Sequence, residues 1–145
     1  QIKTNKNLTF SFLRGLADTD FNISFKKGDR KNNSYPRIVI ELASEIMIED
    51  IKNVLDKLSI TYYAKKKLKH TNFGKFTHYR IEINGRNNFD KWMNSIGFSN
   101  PKHTSKIEIW KRLGYCPPKT TYLERLELLK NSPLPDSNQQ PIPGN

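Results

Sequence analysis

Apolar positions along the chain change period several times, and each change predicts an element. From Thr9 to Asp20 the residues Phe12, Leu13, Leu16 and Ala17 fall at helical spacing, with Thr9 as the expected cap. At Phe21 the period becomes two. Phe21, Ile23 and Phe25 alternate with Asn22, Ser24 and Lys26, which predicts a half-buried strand. The run GDRKNNS from Gly28 supplies turn residues, and a second alternation follows. There Ile38, Ile40 and Leu42 take the core side and Arg37, Val39 and Glu41 the other, so the two runs read as a hairpin.

Ile48, Ile51, Val54, Leu55 and Leu58 predict a short amphipathic helix. A third strand is expected from Thr61 to His70, with Tyr62, Ala64 and Leu68 on one face and Tyr63, Lys65, Lys67 and Lys69 on the other. The turn Asn72-Phe73-Gly74-Lys75 returns the chain as a fourth strand, with Tyr79, Ile81 and Ile83 inward and His78, Arg80 and Glu82 outward. Phe89, Trp92, Met93 and Ile96 mark a third helix ending at Gly97. A fourth helix is expected from Thr104 to Leu113, stopped by Gly114. Thr121-x-x-Glu124 is a capping box that opens a last helix through Leu129. The fold class is therefore α+β, an αββαββα order with additional C-terminal helices. Residues 1–131 read as one domain, and the proline-bearing tail 132–145 reads as disordered. Trp92, Trp110, Tyr62 and Tyr79 are expected in the core, while Tyr63 joins the lysine side.

A length of 145 residues suits one ordinary domain. Composition then narrows the partner. Twenty-five Lys and Arg against 14 Asp and Glu give a net charge of +11, and the pI is near 9.8. That balance disfavours a sensor of acidic ligands and favours a polyanion, either nucleic acid or an anionic membrane surface. No window approaches the roughly 18 continuous apolar residues of a membrane span. The first residues, QIKTNKN, hold no apolar signal-like segment, and the start at Gln1 reads as a fragment or a processed product. Cys116 stands alone, and His70, His78 and His103 lie at no metal-ligand spacing, so neither a disulfide nor a zinc site is expected. A reducing, cytoplasmic setting follows, with no membrane and no small-molecule cofactor.

Charge placement sharpens this. Lys65, Lys67 and Lys69 recur at period two, and Lys26, Arg37 and Arg80 would share their sheet face. Phosphates explain such a stripe through counterion release. Base edges in the major groove, which admits a β-ribbon, would explain the interleaved Asn22, Ser24 and His78. A solvated lysine face explains the charge equally well, and charge alone does not separate DNA from RNA.

The run Leu13-Arg14-Gly15-Leu16-Ala17-Asp18-Thr19-Asp20 resembles the signature of the LAGLIDADG homing endonucleases. A second stretch, Gly97 to His103 followed by Trp110 and Gly114-Tyr115-Cys116-Pro117-Pro118, resembles the segment after the third helix in archaeal members. The likeness covers about Thr9 to Leu129 and carries a single motif. Independently of the family, Gly15 and Thr19 lie four apart on one helix face, a spacing that lets two such helices approach closely. Asp18 and Asp20 fall at the negative end of the helix dipole, an unfavourable position that a bound cation would explain. For Asp18 a surface or capping role is the competing reading.

The resemblance implies an antiparallel, saddle-like sheet and a homodimer paired through Leu13, Gly15, Leu16 and Thr19. It implies that Asp20, beside its two-fold mate, holds Mg²⁺ or another divalent cation on the scissile phosphates of double-stranded DNA, giving a double-strand break. Glu41 stands at the place of a water-ordering polar residue, where relatives often carry Gln. A basic residue near the end of the third helix is matched first by Lys102 and second by Lys106. Asp20, Lys102 and Glu41 are thus the expected catalytic residues. Asn22, Ser24, Lys26, Arg37, Lys65, Lys67, Lys69, His78 and Arg80 are the expected DNA contacts. The signature usually closes with Gly after the last Asp, and this chain departs from it with Phe21. A non-cleaving module on the same scaffold, an RNA maturase or a transcription regulator, is the alternative.

Overall fold

The computed structural model describes residues 2–27 and 34–132. Helix α1 (Ile2–Asp20) leads into β1 (Asn22–Lys27) and β2 (Ser34–Leu42). Then come α2 (Glu45–Lys57), β3 (Tyr63–Thr71), β4 (Gly74–Asn84), α3 (Arg86–Ser95), α4 (Pro101–Leu113) and α5 (Tyr122–Asn131). The four strands form one antiparallel sheet in the order β1-β2-β4-β3. Two hairpins therefore meet along β2 and β4, and the expected α+β order holds. The turn expected at 28–33 and the tail expected from 133 onward lie outside the described residues.

One sheet face is apolar because every second residue on β1, β2 and β4 is. Ile23, Ile38, Ile40, Ile81 and Ile83 are all buried there, and they cluster with Leu13 and Ala17 of α1, Ile48, Ile51 and Leu55 of α2, and Phe89 and Trp92 of α3. Each buried Ile, Leu or Phe among them contributes about 1.5–3 kcal/mol of transfer free energy. Trp92 is fully buried at the centre, with Phe21 at 5.8 Å and Phe98 at 6.0 Å between ring centroids. Trp110 extends the aromatic layer toward α4, stacking on Phe25 and meeting Phe89 edge-on. Both tryptophans are core residues as expected. Tyr62 and Tyr79 are partly buried against the same cluster, and Tyr63 is exposed.

Several boundaries differ from the pattern. Helix α1 starts at Ile2, so Thr9 is not its cap; the Thr9 hydroxyl donates to the Asn5 carbonyl one turn back at 2.9 Å. Residues 5–9 are all exposed, so no apolar face announced that turn. Helix α4 starts at Pro101, three residues before Thr104. The Asn100 side chain accepts from the Lys102 amide and proline occupies the first turn, where its missing N–H costs nothing. Gly114, in the left-handed region at φ 76°, ends α4. The Thr121–Glu124 capping box is formed in both directions. Leu68 is 56% exposed, because most of β3 projects past the helices and meets solvent on both faces. Among the described residues no helix is long and apolar enough to cross a membrane.

Candidate nucleic-acid interface and carboxylate basin

The strand register decides which side chains share the uncovered sheet face. Ser24 pairs with Arg37 and Asn22 with Val39. Val39 pairs with Glu82 and Glu41 with Arg80. On the far hairpin Lys65 pairs with Arg80, Lys67 with His78 and Lys69 with Phe76. Directly opposed residues point to the same side. The nine expected DNA contacts (Asn22, Ser24, Lys26, Arg37, Lys65, Lys67, Lys69, His78 and Arg80) therefore lie on one face, opposite the helices. Six cations stand there against two carboxylates, Glu41 and Glu82.

At the end of this face a basin of about 180 Å³ is lined by Asp20, Asn22, Ser24, Arg37, Val39, Glu41 and Arg80. Asp20 arrives from the last residue of α1. The residue is exposed, and its carboxylate enters no hydrogen bond or ion pair among the described residues. Val39, buried in an otherwise polar row, provides an apolar lining that the alternation alone did not single out as functional.

Glu41 is committed to a protein partner. Arg80 donates to it from Nη1 at 2.6 Å and to Glu82 from Nε at 2.7 Å, while Arg37 lies 3.5 Å from Glu82. The chain Glu41–Arg80–Glu82–Arg37 thus crosses β2 and β4. The Arg80 hydrogen bond holds the Glu41 carboxyl below its ordinary range, and the same guanidinium does so for Glu82. Arg37 Nε is buried without a partner among the described residues, which leaves a donor beside the basin.

Asp18 faces elsewhere. Its carboxylate accepts from the backbone amides of Ser99 at 2.8 Å and Asn100 at 2.9 Å and from the Ser99 hydroxyl. Burial works to raise its pKa, yet these donors hold the carboxyl below the usual aspartate value. The capping reading of Asp18 is the one the geometry supports. Lys102 is exposed in the first turn of α4. Lys106, one turn on, reaches the Ile23 carbonyl of β1 at 3.4 Å. Burial pushes the Lys106 ammonium below its ordinary value, and the charges of Arg125 and Lys102 add to that.

One residue of the face expected to pair two copies of α1 lies inside the chain instead. Leu13 is 4% exposed and belongs to this chain's own core, and Leu16 packs partly against it. Gly15 and Thr19 are exposed. They continue a stripe begun by Leu8, 64% exposed, and Phe12, 60% exposed. The spacing 8, 12, 15, 19 was available in the sequence. It was missed because Phe12 satisfies the core period as well as the outer one. Phe21, where the signature has Gly, is buried at 3% exposure, and its amide continues the helix ladder to Ala17. It has no positive φ among the described residues, so this corner makes no demand for glycine.

A model of the LAGLIDADG-like domain matches residues 7–97. No curated protein matches the chain. Among solved structures, a variant of I-DmoI in complex with its target DNA and in the presence of Mn is similar at 21% identity, with a TM-score of 0.40. The similarity covers 62% of this chain and 48% of that one, so the chain matches about half the length of its neighbour. Helices α4 and α5 lie beyond the family match. The match itself takes in the signature helix, both hairpins and the residues lining the basin, and the chain belongs to the LAGLIDADG-like domain family.

Proposed function

We propose that the chain is a site-specific DNA endonuclease that acts as a homodimer and makes a double-strand break by divalent-cation-dependent phosphodiester hydrolysis. The observation that carries this reading is the position of Asp20, an uncommitted carboxylate opening into a basin at the end of a cationic sheet face. Pairing of two copies through the exposed stripe of α1 would bring their Asp20 side chains together.

The donor set fits Mg²⁺. Among the described residues no three His, Cys, Asp or Glu side chains gather to hold an ion. Mg²⁺, however, is commonly held by one or two carboxylates together with phosphate oxygens and retained waters. Asp20 of each copy and the DNA backbone would supply that set. A bound cation contributes Lewis-acid polarisation of the phosphate and a more acidic water. The chain's own residues do the rest. Lys26, Lys65, Lys67 and Lys69 neutralise backbone phosphates, Asn22, Ser24 and His78 meet base edges, and Arg80 keeps Glu41 ionised and fixed at the basin wall. Lys102 and Lys106 are the cations that would approach the scissile phosphate from α4.

Cleavage of a randomised duplex library with Mg²⁺, comparing wild type with Asp20→Asn, tests the reading. Specific cuts with 3′ overhangs that vanish in the variant support it. A second reading, a non-cleaving nucleic-acid-binding module, draws on the engagement of Glu41 with Arg80, which leaves Asp20 as the basin's single free carboxylate. Selective binding without cuts, equal in both proteins, would favour that module.

A further inference from the structure

The two aspartates of the signature stand two residues apart, so on a helix of 3.6 residues per turn they point about 200° away from each other. Asp20 lines the basin. Asp18 turns toward the segment between α3 and α4 and accepts three hydrogen bonds there, from Ser99 N, Ser99 Oγ and Asn100 N. The contact is reciprocal. Asn100 Nδ2 donates to the Asp18 carbonyl at 2.9 Å, while Asn100 Oδ1 accepts from the Lys102 amide at 3.0 Å. One side chain therefore ties the last turn of α1 to the first turn of α4. Arg14, one turn before Asp18 on the same edge of α1, donates to the Ile96 carbonyl at 2.6 Å. From the other side the buried Arg125 of α5 grips the same turn of α4, donating to Ser105 Oγ at 2.8 Å and to the Lys102 carbonyl at 3.4 Å.

We infer that Asp18 and Asn100 are a positioning pair that fixes the lysine-bearing start of α4 against the end of α1 that presents Asp20. The pair touches neither the basin nor the cationic face. Its effect is to hold Lys102 and Lys106 in one place relative to Asp20, and this consequence rests on the endonuclease reading. A metal-ligand role for Asp18 requires the carboxylate charge. A positioning role requires only an acceptor oxygen aimed at the two backbone amides, which asparagine retains.

The test compares the full chain with Asp18→Ala, Asp18→Asn and Asp20→Asn. Amide hydrogen exchange is read at Ser99, Asn100 and Lys102, and single-turnover cleavage and duplex affinity are read on the selected target. The expected result for Asp18→Ala is exchange faster on the order of tenfold at those amides. Cleavage should slow on the order of tenfold or more while duplex affinity stays within about twofold. Asp18→Asn should restore both exchange and rate, whereas Asp20→Asn stays protected but inactive. Unchanged exchange in Asp18→Ala would overturn the pair. So would an Asp18→Asn protein that is protected yet as inactive as Asp20→Asn, because the charge itself would then be needed. If the wild type cuts no duplex, the endonuclease reading falls. Exchange at Lys102 then decides the pair, acceleration in Asp18→Ala with recovery in Asp18→Asn supporting it and any other pattern refuting it.

Discussion

Arg80 and Glu41 face each other across β4 and β2 at 2.6 Å, and this ion pair sets the electrostatics of the basin wall. The carboxylate at the position where relatives often carry Gln is neutralised within the chain. Both groups remain partly accessible, so the pair shapes charge placement more than it stabilises the fold.

Replacing Glu41 by Gln should release Arg80 Nη1 and remove one negative charge from the cationic face. The logarithmic salt dependence of duplex binding is expected to steepen by about one unit, with tighter binding at low salt. Fluorescence anisotropy titrations at several salt concentrations measure this directly. An unchanged slope would mean that the sheet face does not bind the phosphates.

Gly15 offers a separable test of helix pairing. A Cβ built there meets nothing within 4 Å among the described residues. Gly15→Leu should therefore fold normally, and the gain in helix propensity is worth about 0.5–1 kcal/mol. If two copies pair through this face, the same substitution abolishes the dimer. Sedimentation velocity gives association state and chemical denaturation gives stability. A dimer that survives Gly15→Leu places the interface elsewhere.

Restoring the family's usual glycine at position 21 should harm the protein. Phe21 is buried and packs on Trp92 at 5.8 Å. Phe21→Gly removes the whole side chain from the core, with an expected loss of about 3–5 kcal/mol. Urea denaturation reads the change, and a loss below about 1 kcal/mol would contradict the packing described.

His103 gives the pH dependence its sign. It is buried against Phe98, and its Nδ1 has no partner among the described residues. Burial first, and the charge of Lys106 second, depress its pKa below the ordinary 6.5. The unfolded chain therefore takes up this proton at higher pH than the folded one. The stability contribution is complete above about pH 6.5 and is lost as pH falls through the folded value. The carboxyls of Asp18, Glu41 and Glu82 are held below their ordinary values and stay ionised at the start of that descent. The denaturation midpoint should drop as pH falls below about 6.5, and His103→Gln should flatten that drop.

Period and turn chemistry made most elements legible, since Ile23, Ile38, Ile40, Ile81 and Ile83 alternate cleanly and a single buried face requires that. The start of α1 was hidden because Asn5 to Thr9 are exposed, so only local propensity marks that turn. For the site, alternation placed Glu41 and Arg80 on one face. Their bond depends on the β2–β4 register, which no local pattern encodes. The role of Asp18 was equally out of reach, because its partners Ser99 and Asn100 lie some eighty positions away. Local spacing shows a carboxylate at a helix end, while the amides that claim it come together only when α3 and α4 pack.

The outer position of β3 carries one more consequence. An edge strand presents unpaired amides and carbonyls that invite a strand from another molecule. Here that edge bears Lys65, Lys66, Lys67 and Lys69 within five residues, alongside the exposed apolar Leu68 and Tyr63. Two such edges repel each other before they can zip together. The lysines thus oppose edge-to-edge pairing whenever no polyanion covers them, and under the proposed function neutralising them would trade weaker nucleic-acid affinity for sheet-to-sheet aggregation.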